Sequence, residues 1–101
     1  MAWGSVGFQV LPLVEGPKER VYSAVDRAIE VVERSGVKYQ VGPLETVMEG
    51  EISELLDIVL RAQEAVRKTG VGTVITYVKI VNSEEPSTME EKVAKYRAAG
   101  H

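Results

Sequence analysis

The 101-residue chain has no cysteine and a single histidine, His101, at its last position. The missing thiols exclude disulfides, a thiolate nucleophile and cysteine metal ligands, and they fit a reducing compartment. With no second imidazole there is no basis for a dedicated transition-metal site, and carboxylates alone do not specify calcium or magnesium. His101 is assigned no role, because the extreme end of a chain is a poor platform for chemistry. Excess positive charge is also absent: the formal net charge is −3, against the broad basic face that nucleic-acid binding requires. No apolar run approaches membrane-spanning length, and "MAWGSVGFQV" lacks the basic and continuous apolar regions of a secretory signal. The expectation is a cytoplasmic protein with no nucleic-acid or membrane partner.

What is present suits one small domain over residues 1–101. The chain is 45% hydrophobic and 27% charged, enough for an adequate but small core, so self-association is an expected source of extra burial. In "SVGFQVLPL", Val6, Phe8 and Val10 alternate with Ser5, Gly7 and Gln9, the period of a strand with one apolar face, ended by Pro12. From Pro17 to Ser35, Val21, Val25, Ala28, Ile29 and Val32 recur at helical spacing, with Gly36 as cap. "VKYQV" and "ETVME" flank Gly42-Pro43-Leu44, a hairpin in which glycine supplies unusual dihedrals and proline fixes the turn. Ile52, Leu55, Leu56, Val59 and Val66 line a second helix up to Gly70, and "TVITYVKIV" is a β-branched strand. "SEEPSTMEEKVAKYR" then predicts a short C-terminal helix, with Ser87 and Glu90 at capping-box spacing and Met89, Val93 and Tyr96 as its apolar stripe.

The order β-α-β-β-α-β predicts an α+β, ferredoxin-like fold. Both main helices lie on one face of a four-stranded antiparallel sheet, and the short helix follows. With Val6, Phe8, Val10, Val74, Thr76, Val78 and Ile80 toward the helices, alternation sends Gln9, Val47, Glu49, Ile75, Tyr77, Lys79 and Val81 to the other face. That face is too apolar for water and suits a sheet-to-sheet subunit contact or a ligand-lined cleft.

The chemical inventory is sparse. "GVG" at residues 70–72 lacks the length and the strand-to-helix context of a phosphate loop. The acidic pairs Glu84-Glu85 and Glu90-Glu91 read as solubility and helix-end charges. No nucleophile with a matching base can be assembled, so an enzyme is not expected. Of the hairpin carboxylates, Glu49 carries the expectation. It either pairs with Lys79 across a subunit contact, ends a solvated strand, or accepts from an amino-heterocycle beside the rings of Tyr39 or Tyr77. Each tyrosine also reads as ordinary packing, and Trp3 as a cover for an apolar patch.

Taken together, "VLPL", "SGVKYQVGPLETVMEGE", "TYVKI" and "MEEKVAKYR" resemble, in order along nearly the whole chain, the thiamine-binding protein family, small single-domain relatives of the YkoF-like proteins. The run from Tyr39 through the Gly-Pro turn to Thr46 and Glu49–Glu51 is the most specific part. The resemblance implies a ferredoxin-like subunit assembled into dimers and tetramers that binds thiamine or its hydroxymethylpyrimidine moiety without established catalysis. The expected role is therefore vitamin storage, salvage or delivery. Tyr39, Thr46 and Glu49 are the motif matches, and Gln9 and Tyr77 complete the expected ligand-binding set. Two departures stand out: "PLVEGPKER" replaces the family's small hydroxyl-bearing loop, and Glu45 stands where the family usually has glycine. The alternative is a structural or regulatory homo-oligomer that does not bind thiamine.

Overall fold

The computed structural model describes residues 2–84. Strand β1 spans Trp3–Leu13, helix α1 Lys18–Ser35, strands β2 and β3 Lys38–Val41 and Thr46–Glu51, helix α2 Ile52–Arg67, and strand β4 Thr73–Asn82. The sheet order is β2-β3-β1-β4 with antiparallel pairing throughout. This is the expected ferredoxin-like β-α-β-β-α-β fold, with β1 central and paired on both sides. The helix expected from residue 87 onward lies outside the described residues.

Register fixes the two faces. Val6, Phe8 and Val10 of β1 pair with Ile80, Val78 and Thr76 of β4, while Val6 and Phe8 pair with Met48 and Thr46 of β3. Directly paired residues share a face. Val6, Phe8, Val10 and Met48 are buried with Ala24, Ala28 and Val32 of α1 and Leu55, Ile58, Val59, Ala62 and Val66 of α2. The three alanines leave room for the helices to lie close to one another and to the sheet. The Thr76 hydroxyl donates to the Gln63 side-chain oxygen, tying β4 to α2. Gln9, Val47, Glu49, Ile75, Tyr77, Lys79 and Val81 occupy the opposite face, as alternation requires. Val78 and Ile80 are a partial correction: they lie on the helix side yet are exposed, because β4 is an edge strand.

Three local expectations change. Pro12 does not end β1, which continues to Leu13 with Pro12 opposite Val74. Pairing with β3 stops at Phe8, so beyond that point β1 has a free edge, where a strand tolerates a residue lacking N–H. Gly42 is not among the glycines with positive φ, which are Gly16, Gly36 and Gly70. Its requirement is closeness instead, since a Cβ there would stand 3.0 Å from the Glu45 carbonyl oxygen. Helix α2 stops at Arg67 with Lys68 as its cap, and Gly70 serves the turn that follows.

The two helices begin differently. Pro17 precedes α1 in an extended conformation and offers no side-chain cap, and Gly36 closes the helix at φ 79°. Helix α2 follows β3 without a loop, so Glu51 is both the last strand residue and the N-cap. Its carboxylate accepts from the Ser53 hydroxyl at 2.5 Å and from the Glu54 amide at 3.0 Å. These two bonds, the Ser53 contact foremost, hold the Glu51 carboxyl below its ordinary value of 4.5. A depressed carboxyl pKa contributes stability that is present above the unfolded-state value and lost as pH falls through the folded one. Glu51→Gln is therefore expected to melt below the parent at pH 7, with the difference closing as pH drops through and below 4.5. Thermal melts across that range check this, and a pH-independent difference would contradict it.

Candidate functional site

The site begins at the hairpin between β2 and β3. Val41 and Thr46 form its last pair, and the Gly42 amide donates to the Glu45 carbonyl at 2.8 Å. Pro43 and Leu44 stand exposed at the tip. From the foot of the turn the Glu45 side chain reaches over β1. A Cβ built on Gly7 would lie 3.1 Å from Glu45 Oε2, so the glycine is the seat on which the carboxylate rests. The same oxygen meets Lys79 Nζ at 2.9 Å, and Lys79 is the β4 register partner of Gly7. One ion pair thus bridges the central strand on the face away from the helices.

Around this bridge the face is hollowed. Gln9 and Tyr77, register partners, line a groove of about 480 Å³ with Leu44, Glu45, Val78 and Lys79. An adjoining hollow of about 220 Å³ is bordered by Ser5, Gly7, Val47 and Val81 as well as the same ion pair. Tyr77 offers an exposed ring and Gln9 an amide that both donates and accepts. Trp3, Leu11, Leu13, Ile75 and Val81 leave exposed apolar surface on this side. Trp3 is therefore itself uncovered.

The five residues singled out from sequence divide between the two faces. Gln9 and Tyr77 come together in the groove. Glu49 shares their face but is only 6% exposed, and its carboxylate pairs with Lys38 Nζ at 3.3 Å. Within the chain Glu49 and Lys79 are each already paired elsewhere: Glu49 lies opposite Lys38 and Ser5, whereas Lys79 lies opposite Gly7, within reach of Glu45. Thr46 and Tyr39 point to the helix side. Thr46 is buried and lines a separate cavity of about 160 Å³ beneath the hairpin, with Val25, Ala28 and Ile29 of α1. Tyr39 pairs with Met48 and packs against the core, so it offers no ring beside Glu49. The residue that sequence reasoning passed over is Glu45. Its signal was Gly7, a glycine inside an otherwise well-patterned strand, which marks close approach by another group.

Among the described residues no three His, Cys, Asp or Glu side chains converge as a metal site, and no helix is long and apolar enough to cross a membrane.

Known proteins are similar to this chain in sequence and in fold. A Clostridium perfringens protein of the UPF0045 group is 50% identical over 93 residues, covering 92% of this chain and 96% of that one. A Bacillus cereus structure described as a domain of unknown function, DUF77, superposes with a TM-score of 0.83 at 46% identity, covering 96% of this chain and 94% of its own. A Thermotoga maritima structure, described as a candidate thiamine biosynthesis/salvage protein, superposes with a TM-score of 0.81 at 35% identity, covering 92% and 97%. The model of the thiamine-binding protein family matches residues 6–97, so the chain belongs to that family.

Proposed function

We propose that the protein is a non-catalytic, cytoplasmic binder of thiamine or its hydroxymethylpyrimidine moiety, serving storage, salvage or delivery of the vitamin. The observation that carries this reading is the groove on the open sheet face, in a chain of the thiamine-binding family. An aminopyrimidine presents an exocyclic amine and ring nitrogens, which complement the Gln9 amide, and thiamine adds a cationic thiazolium suited to the Tyr77 ring face. Glu49, paired with Lys38, belongs to the neighbouring part of the same face and contributes to the site by holding β2 against β3 there. Thr46 and Tyr39 support the site from behind the sheet, Thr46 at the foot of the hairpin and Tyr39 against Met48.

Calorimetry is expected to detect binding of thiamine, hydroxymethylpyrimidine or both to the parent. Gln9→Ala should weaken that binding by about 0.5–1.5 kcal/mol, the net worth of a neutral hydrogen bond. Absence of heat with every aminopyrimidine tested would overturn the reading.

The same face supports self-association. Exposed Leu11, Leu13, Ile75, Tyr77 and Val81 on one side of a small sheet make the kind of apolar surface that a second copy covers. A homo-oligomer, specifically a tetramer built of dimers, is the assembly this reading carries. Light scattering at micromolar concentration is expected to give a mass above that of the monomer. Tyr77→Glu should shift it downward by forcing a charge into a desolvated contact. A monomeric parent would contradict this. A stable oligomer that binds no aminopyrimidine would instead favour a structural or regulatory role, which the same apolar surface also supports.

A further inference from the structure

The Glu45–Lys79 pair has features that a simple clamp does not need. Its acid is the deeper partner, with the Glu45 side chain 30% exposed and Lys79 73% exposed. The carboxylate rests on a glycine, so swinging it aside uncovers a floor without side chain at Gly7, flanked by Gln9 and Tyr77. Glu45 borders both hollows of the open face, the cavity beneath the hairpin, and a further hollow against Gln40 and Val47. An ion pair with so exposed a lysine contributes only about 0–1 kcal/mol to stability. A ligand that replaces both partners' contacts can therefore open it at little expense. Each freed group then has a distinct preference: the inner carboxylate takes a cationic or amino-donor ring, and the outer ammonium takes an anion.

The geometry points to Glu45 and Lys79 as paired recognition groups for a ligand that carries both charges, an amino-heterocycle at its inner end and a phosphate at its outer end. This rests on the thiamine-type reading and sharpens it: the phosphorylated vitamin fits the site better than the free one. Glu45, rather than the buried Glu49, is the carboxylate that touches the ligand. Lys79 reads the phosphate at the rim.

Calorimetry with thiamine and thiamine monophosphate, on proteins first matched for oligomeric state, tests the assignment. The parent should bind the monophosphate more tightly than thiamine. Glu45→Gln should weaken both by about tenfold or more, the loss of a charge-assisted hydrogen bond. Lys79→Gln should weaken the monophosphate by a similar factor while leaving thiamine equal or tighter, since the carboxylate is no longer neutralised. Gly7→Ala, whose Cβ would occupy the bare floor 3.1 Å from Glu45 Oε2, should weaken both compounds. A clamp with no ligand role would move melting temperatures without splitting the two ligands. Binding by the parent with Glu45→Gln unchanged for both compounds, or Lys79→Gln weakening both equally, overturns this inference alone. A parent that binds neither compound, nor any other aminopyrimidine, removes the thiamine reading together with it.

Discussion

Gly7 has no side chain, and the space it leaves lets a carboxylate from a hairpin loop lie across the middle strand of the sheet and meet a lysine from the edge strand. Three elements distant in sequence are coupled there: the β2–β3 turn through Glu45, β1 through Gly7, and β4 through Lys79. A Cβ at position 7 would stand 3.1 Å from Glu45 Oε2, so a larger residue there would push the carboxylate off its close seat on β1. The register of β1 with both neighbours makes the coincidence possible, since it sets Gly7 directly opposite Val47 on one side and Lys79 on the other.

That register is held by the opposite face. Val6, Phe8 and Met48 are almost completely buried under α1 and α2, and sliding either strand by one residue would turn this apolar set out to water. A buried methionine or leucine truncated to alanine typically costs about 2–5 kcal/mol, a large share of a small domain's net stability. The helix side therefore supplies the stability, while the open side is free to carry charges and exposed apolar groups that add little of it. Two acid–base pairs illustrate the division. Glu49 with Lys38 is nearly enclosed on its acidic side, where breaking one partner leaves a buried charge; Glu45 with Lys79 lies toward solvent and can open.

Much of this was legible in the chain. Alternation in β1 and β4 assigned the faces, and the spacing of Val25, Ala28, Ile29 and Val32 and of Leu55, Val59 and Val66 placed both helices. The same alternation, applied strictly to β3, already separates Thr46 from Glu49, because residues three apart on a strand face opposite ways. The face of Tyr39 was not accessible in this way, since it depends on the β2–β3 register set by a hairpin whose loop includes Glu45. Nor was the pairing of Lys79, which required knowing that β1 separates β3 from β4 and that the residue between them is a glycine. Local patterning reports which way a side chain points; which acid meets which base is a property of strand order.

On the proposed function, a thiamine-like ligand sits on the open sheet face around Glu45 and Gly7. Amide chemical-shift mapping by NMR during a thiamine titration locates it. The largest shifts are expected at Gly7, Gln9, Glu45, Tyr77 and Lys79. Shifts concentrated instead at Val25, Ile29 and Thr46 would move the ligand to the cavity beneath the hairpin and overturn binding on the open face.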